Sequence, residues 1–341
     1  DVYKRQSTLG EPNDPPYVYP LQAGGGTSPG NIDEQEAHWV GEDTIVWASA
    51  GVPGTYELCH AATGGMTLGA VGVEGGMCLA LTPGPDYPSD VDGFLHLGGL
   101  PTLTIDAGDL ASVPGILTGQ IAVQGISGGV RIDATGLQIP GVLDDLYTTD
   151  ADLGVTWAGA IPTISVWAPT AKSVTLHRYS DSDPATAGTA LPMTRDDATG
   201  VWSVTGDATW AGDFYLYEVE VFVSSTGAVE TNMVTDPYSH SLAMNSKRTE
   251  IVDLGDASLA PVGWDGVPKP AVENPEDIVL YELHIRDFSI TDETVPADLA
   301  GTYRAFTVEG SDGMTHLANL ADAGLTHVHL LPAFDIATIN E

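Results

Sequence analysis

The clearest pattern in the middle of the chain is an alternation of apolar and polar residues with a period of two. The segment DFYLYEVEVFV (213–223) places tyrosines and valines on one face and two glutamates on the other. The runs TISVWAP (163–169) and KSVTLHRY (172–179) alternate in the same way. Successive side chains of a strand point to opposite faces, so these runs predict half-buried antiparallel strands that share one core.

A similar pattern occurs earlier in the chain. Short strand-like runs at residues 43–50 (DTIVWASA), 55–60 (TYELCH) and 101–106 (PTLTID) are separated by turns rich in Gly and Pro. No stretch of 12 residues with a helical periodicity of apolar positions precedes residue 150. The sequence therefore predicts a mostly β protein that begins with two consecutive, immunoglobulin-like β-sandwich modules, at residues 31–150 and 151–260.

The pattern changes after an extended connector at residues 261–277. An apolar run (277–289) and a second one, LTHVHLLP (325–332), flank a segment whose apolar residues recur with a helical period (311–324). Ser311 is placed to cap this helix, and a glycine follows its end. The order strand, helix, strand predicts a βαβ unit with parallel strands.

This unit predicts the beginning of a (β/α)8 TIM barrel over residues 278–341. A complete barrel takes about 250 residues, so we expect the barrel to be incomplete in this chain. At the other end, residues 1–30 are rich in Pro, Gly and Ser and predict a disordered leader and linker. The first six residues, DVYKRQ, contain no apolar signal region and are more basic than the rest of the chain.

Composition excludes some partners. The chain has 47 acidic and 11 Lys or Arg residues, which gives a formal net charge of −36. Without a basic stripe, nucleic acid is an unsuitable partner. No run of about 18 apolar residues occurs, so no membrane span is predicted. Two interpretations of the acidity stay open, adaptation to salt and solubility alone.

The two cysteines, Cys59 and Cys78, lie between strand-like segments. Their even number and spacing suit one disulfide in an oxidising compartment, and two buried free thiols are the alternative. No metal site is predicted. His327 and His329 share a strand face, but two imidazoles lack the further ligands that zinc needs, and a packing role is preferred.

Four longer segments carry a resemblance to a known family. They are ISVWAPTAKSVTLHRY, VTDPYSHSLAMNSKRTEIVDL, VLYELHIRDFSITDETVPADLAGTYRAF and GLTHVHLLPAFDIATINE. These segments resemble bacterial pullulanases, the α-1,6-debranching enzymes of glycoside hydrolase family 13, and the likeness is close from about Gly141 onward. EAHWVGEDTIVW resembles the opening of the pullulanase-associated N-terminal domain. The resemblance implies a β-sandwich, a module of carbohydrate-binding family 48 and then the catalytic barrel.

The resemblance also implies a function for the full-length protein. Pullulanases hydrolyse α-1,6-glucosidic linkages in pullulan, amylopectin and limit dextrins with retention, using two carboxyl groups about 5 to 5.5 Å apart. In that family these two groups and a third, assisting Asp lie on barrel strands four, five and seven, and this sequence reaches strand two. No catalytic residue can thus be assigned here. The catalytic carboxyl groups are expected downstream of Glu341, and the chain alone is expected to be inactive.

The expected partner is an α-glucan polysaccharide such as pullulan, starch or glycogen. The alternative to a pullulanase is a non-catalytic scaffold of two β modules that binds α-glucan. Candidate sugar-stacking residues are Trp202 and Trp210 in the second module and Trp39 and Trp47 in the first, with core packing as the alternative for each. Trp167 is expected in the core. The resemblance implies an extracellular or cell-surface protein and no cofactor in this chain, and it leaves calcium open for the full-length enzyme.

Overall fold

The computed structural model describes residues 30–91, 93–268 and 271–331. Its residues fall into two compact units, of which the first runs to Asp253 and the second begins at Leu254. The predicted leader and linker lie outside the described residues apart from Gly30. Residues 332–341, and with them Glu341, lie outside the described residues as well. A mostly β structure is confirmed.

Seven strands in the described part of the first domain form a closed barrel in the order β1-β2-β7-β6-β3-β8-β9. The strands, together with a small hairpin formed by β4 and β5, are β1 (Ala37–Gly41), β2 (Thr44–Val46), β3 (Thr55–Ala61), β4 (Thr67–Leu68), β5 (Val73–Glu74), β6 (Met77–Pro83), β7 (Thr102–Ile105), β8 (Gln120–Ser127) and β9 (Val130–Gln138). Two short helices, α1 (Val113–Ile116) and α2 (Pro140–Tyr147), accompany them.

Closure of this barrel corrects the prediction that the first module is a sandwich. The pairs Ala37↔Leu137 and His38↔Gln138 join β1 to β9 in parallel, whereas the other ladders of the barrel are antiparallel. Alternation of buried and exposed residues along a strand is the pattern that both architectures share. Alternation therefore predicted the strands and could not distinguish the two folds.

The second domain is built from two antiparallel sheets. One has the order β10-β11-β15-β14, and the other has the order β13-β12-β16-β17, with β18 paired to β16. The strands are β10 (Gly154–Ala158), β11 (Ile161–Trp167), β12 (Ser173–Tyr179), β13 (Thr189–Pro192), β14 (Thr194–Arg195), β15 (Val201–Thr205), β16 (Phe214–Val223), β17 (Ala228–Val234) and β18 (Thr249–Glu250). The predicted alternation in β16 is confirmed, because Tyr215, Tyr217, Val219, Val221 and Val223 are all buried.

The two β domains are joined by polar and apolar contacts. Trp167 packs on the first-domain core, and its Nε1–H donates to the carbonyl oxygen of Tyr147 at 3.0 Å. Gly64 forms an isolated bridge with Ala228, and a Cβ at Gly64 would lie 2.1 Å from the carbonyl oxygen of Gly227. Together with a φ of +85° at Gly64, this close approach requires glycine.

The second unit contains β19 (Leu280–Leu283), α3 (Ile285–Ser289), α4 (Asp312–Asp322) and β20 (His327–Leu330). The parallel pairing of β19 with β20 confirms the predicted βαβ arrangement, and Ser311 caps α4 by accepting from the Met314 N–H. The strand predicted at 277–289 is shorter in the structure, because β19 ends at Leu283 and α3 begins two residues later. That this unit begins a (β/α)8 barrel stays a prediction. Of the helices described, none is long and apolar enough to span a bilayer.

The structure pairs Cys59 with Cys78 as a disulfide that links neighbouring strands, β3 and β6. The sequence separation is 19 residues. Closing a loop of this size restricts the unfolded chain, so the disulfide is expected to contribute about 3 kcal/mol to the free energy of unfolding.

This contribution can be measured by urea denaturation with and without a reductant. Treatment with a phosphine reductant should lower the midpoint of the first-domain transition to that of the double variant Cys59→Ala/Cys78→Ala. The variant itself should not respond to the reductant. A wild-type midpoint that is equal in both conditions would contradict the expectation.

Candidate functional site

A cavity of about 640 Å³ lies between the two β domains. Residues around the start of β8, the end of β9 and α2 form its first-domain wall. The second-domain wall comes from residues 167–170, residues 221–224 and the segment that follows β17. Cavities of about 300 to 1,000 Å³ are typical of small-molecule sites, so this is the candidate functional site among the described residues.

Three aromatic side chains from separate elements line the cavity. Trp167 ends β11, and its hydrogen bond to α2 fixes the indole. Phe222 lies in β16 between Val221 and Val223, which point into the domain core, so its ring is on the opposite sheet face. Tyr238 follows β17 and is 38% exposed. Trp167 also packs on the first-domain core, so its indole is shared between core and cavity, whereas Tyr238 leaves ring surface exposed.

A buried carboxylate positions Tyr238. One oxygen of Asp236 accepts hydrogen bonds from the hydroxyls of Tyr215 and Tyr217, at 2.5 and 2.9 Å, and the other accepts from the Tyr238 N–H at 2.8 Å. Burial raises the pKa of Asp236 above its usual value, although these hydrogen bonds oppose the shift. Burial and the nearby Asp236 also raise the pKa of Tyr238.

Amides and one carboxylate supply the polar part of the lining. Gln138 donates from Nε2 to the carbonyl oxygen of Gln35 at 2.9 Å. Asn232 is half-buried, and its side chain has no hydrogen-bond partner in the described part of the chain. Among the described lining residues, Asp33 brings the one carboxylate and none brings a cationic side chain. The arrangement suits a neutral ligand with many hydroxyl groups.

Comparisons with known proteins agree on the family. A model of the pullulanase N2 domain matches residues 34–145, and a model of carbohydrate-binding module 48, the isoamylase N-terminal domain, matches residues 152–239. The chain is 38% identical over 314 residues to a pullulanase of Klebsiella pneumoniae. It is 35% identical over 312 residues to pullulanase 1, chloroplastic, of Arabidopsis thaliana.

These are pullulanase N-terminal domains. The matched segments make up 90% and 89% of this chain but only 28% and 32% of the Klebsiella and Arabidopsis pullulanases. The chain therefore spans about a third or less of the length of these curated relatives. Solved structures agree, since PulA from Klebsiella oxytoca superposes with a TM-score of 0.82 at 36% identity, covering 92% of this chain and 30% of that chain. A maltotriose complex of PulA from Klebsiella pneumoniae gives 0.82 at 34% identity, with 91% and 34% covered.

The structure corrects the assignment of four tryptophans to sugar contact. The pullulanase N2 domain buries Trp39 and Trp47, which are 0% and 1% exposed. The family 48 module buries Trp202 and Trp210, at 8% and 5%. Each belongs to the hydrophobic core of its domain, where no indole face can reach a sugar ring. The structure therefore supports core packing, which was the alternative considered for each of these tryptophans.

The position of the catalytic carboxyl groups downstream of Glu341 stays a prediction. Glu341 is the last residue of the sequence and lies outside the described residues. The cavity between the β domains is therefore a candidate binding site, and no residue that lines it is assigned a catalytic role.

The outer face of the β16 sheet in the family 48 module carries charge rather than aromatic rings around Glu218. Glu218 pairs with His177 at 3.0 Å, and Ser173 donates to Glu220 at 3.0 Å. The cross-strand neighbours of Glu218 are Thr175 and Met233. This part of the sheet therefore offers no stacking platform among the described residues.

Potential metal ligands that lie close together among the described residues have other partners. Within the described ranges, one group of three acidic, histidine or cysteine side chains has its ligand atoms close together, and two of its members are the disulfide-bonded Cys59 and Cys78. His329 contacts Glu282 at 3.0 Å, and His327 contacts Thr326. The cysteines are consumed by their bond, so this group does not form a metal site.

Sequence reasoning missed Phe222 and Tyr238, although one signal was present. Phe222 places an aromatic ring on the strand face that Glu218 and Glu220 occupy, and so interrupts the alternation. An apolar ring on a polar face indicates a contact outside the sheet. The partners of that contact come from distant segments, which the sequence pattern alone does not bring together.

Proposed function

We propose that the protein containing this chain is a retaining hydrolase of α-1,6-glucosidic linkages in pullulan, amylopectin and limit dextrins. The observation that carries the proposal is the 38% identity to the Klebsiella pneumoniae pullulanase, which extends over 90% of the chain. This similarity includes both β domains and part of the second unit. In the proposal, the N2 domain and the family 48 module are non-catalytic, the catalytic carboxyl groups lie downstream of Glu341, and this chain alone is inactive.

The proposed localisation is extracellular or at the cell surface. The Cys59–Cys78 disulfide supports it, because such bonds persist in oxidising compartments. The acidic composition is compatible with this setting, since ions screen the repulsion among surface carboxylates.

A product assay tests the hydrolase proposal. Pullulan consists of maltotriose units joined by α-1,6 linkages, so the protein containing this chain should release maltotriose from it and leave amylose intact. Proton NMR of the first product should show the α-anomer, because a retaining enzyme conserves configuration. The 341-residue chain alone should release no reducing sugar. Release of panose, or of a β-anomer first, would contradict the proposed linkage or stereochemistry.

A second candidate function is α-glucan binding by the β domains without hydrolysis. The match of residues 152–239 to a carbohydrate-binding module favours it as a contributing role. The same assay separates the two, since a scaffold protein retains pullulan on a column and releases no maltotriose from it.

A further inference from the structure

We propose that the cavity between the N2 domain and the family 48 module is a binding site for a short α-glucan segment. The inference rests on the proposed function, because it assumes an α-glucan substrate, and it adds a site away from the sheet face around Glu218. The ligand class follows from the lining of the cavity and from its charge.

The aromatic side chains supply the surface that a pyranose ring needs. A sugar ring presents an apolar face of C–H groups that packs on an aromatic ring, while its hydroxyls point to the edges. Trp167, Phe222 and Tyr238 line the cavity together. Trp167 and Phe222 are half-buried and Tyr238 is 38% exposed, so part of each ring remains accessible. Asn232 pairs with the core-facing Val219, so its side chain lies on the sheet face opposite to the Phe222 ring. The rings that share the cavity with the Asn232 amide are therefore those of Trp167 and Tyr238, which offer a stacking surface to a glucose unit.

The polar side chains supply hydrogen bonds for hydroxyl groups. Asn232 lies on β17 next to Val219 of β16, and its half-buried amide has no partner among the described residues. The polar atoms of this amide are not fully enclosed, so they are open to water or to a ligand in the cavity. Since an amide both donates and accepts, it suits a sugar hydroxyl, which does the same. Thr170 and Gln35 lie on the same lining.

The charges around the cavity favour a neutral ligand over an anionic one. The chain carries a formal net charge of −36, and no lysine, arginine or histidine lies among the described residues that line the cavity. Two cations lie just behind the lining, since Lys172 donates to Thr118 at 3.4 Å and Arg195 donates to the carbonyl oxygen of Pro169 at 3.1 Å. Arg195 is paired with Asp197, and Asp33 brings a carboxylate to the lining, so an anionic ligand meets no net positive charge there. A neutral oligosaccharide needs no such charge.

Contacts between the domains hold the two walls in place. The Trp167–Tyr147 hydrogen bond lies at one side, and Lys172 Nζ donates to Thr118 Oγ1 at 3.4 Å. Arg195 stacks over the Tyr147 ring, with its Cζ 5.6 Å from the ring centroid. When a cavity is preformed, the protein loses less conformational entropy on ligand binding than when it must close around the ligand.

Titration calorimetry on the 341-residue chain tests the site, with maltotetraose as the probe and cellotetraose as the β-linked control. Maltotetraose should bind saturably and cellotetraose should not. Asn232→Leu keeps the size and apolar packing of the side chain but removes the amide, and should weaken binding on the order of tenfold or more. Tyr238→Ala should weaken it similarly.

Two controls separate the site from other surfaces. Met233→Leu alters the opposite face of the same strand, and Tyr303→Ala removes an exposed aromatic ring of the second unit. Both should bind maltotetraose as the wild type does. If circular dichroism shows that Tyr238→Ala is unfolded, Asn232→Leu decides, because its apolar side chain fits a half-buried position.

Two outcomes would overturn the inference. The first is wild-type affinity in Asn232→Leu, which would identify the cavity as an apolar gap between domains. The second is no saturable binding of maltotetraose by the chain. Neither outcome affects the hydrolase proposal, which is judged separately by maltotriose release from pullulan.

Discussion

Replacing Trp39 by alanine should lower the free energy of unfolding of the first domain by about 4 kcal/mol. The indole is fully buried among Ala37, Ile45 and their neighbours, so its removal leaves a large cavity in a closed barrel. Such a loss is a large fraction of the about 5 to 15 kcal/mol that a domain has. Urea denaturation followed by far-UV circular dichroism measures it.

Trp264→Ala is the matched control, because Trp264 is 63% exposed in the second unit. Its effect on unfolding should stay within about 0.5 kcal/mol. Trp202→Ala should destabilise the family 48 module as Trp39→Ala destabilises the barrel. In addition to its packing, the variant loses the hydrogen bond from the Trp202 Nε1–H to the Ala168 carbonyl oxygen at 3.0 Å. A Trp39 variant that unfolds like the wild type and loses only glucan binding would show that the indole faces a ligand.

Asp236→Ala should destabilise the family 48 module by about 4 kcal/mol, because it leaves two buried tyrosine hydroxyls and a backbone N–H without their acceptor. Tyr215 and Tyr217 are both 0% exposed, so water cannot replace the carboxylate without opening the core. Chemical denaturation at pH 7 measures this loss. An unchanged denaturation midpoint would mean that the hydrogen bonds to Asp236 make no net contribution to the stability of the module.

The same carboxylate predicts a pH dependence with a definite sign. Burial raises the pKa of Asp236 in the folded state, so the native module holds this proton to a higher pH than the unfolded chain does. The resulting stabilisation is complete below the unfolded pKa of about 3.9 and is lost as the pH rises through the folded value. The free energy of unfolding of the wild type minus that of Asp236→Asn should therefore fall as the pH rises from about 4, and then level off.

Comparison with Asp236→Asn is needed because the chain has many other carboxylates, whose titration is common to both proteins and cancels in the difference. Denaturation curves at intervals from about pH 4 to 7 provide the values. A difference that rises with pH would show that the hydrogen bonds to Asp236 outweigh its burial and lower its pKa.

Local features of this fold could be predicted from sequence, because they depend on neighbouring residues. The alternation in β16 and the cap of α4 by Ser311 are both set by spacing within one element. Barrel closure could not be predicted in this way. It depends on the pairing of Ala37 with Leu137, and nothing in either strand alone specifies that partner.

The site was less predictable than the fold. An aromatic residue in a strand is equally compatible with a core and a binding surface, so Trp39 and Trp202 could not be assigned from residue type. Asn232 carries no motif, and Phe222 is informative only once its strand face is known. The cavity unites segments from both β domains, and its lining is a property of how the domains dock.

The parallel ladder between β1 and β9 has a consequence for synthesis on the ribosome. About a hundred residues separate the two strands, so β1 emerges long before its closing partner and stays without it until Gln138 has left the exit tunnel. At about 5 to 20 residues per second this wait lasts about 5 to 20 seconds. During that time one edge of β1 has no partner, and an open strand edge can pair with other chains, so a holdase chaperone that covers it would protect the first domain.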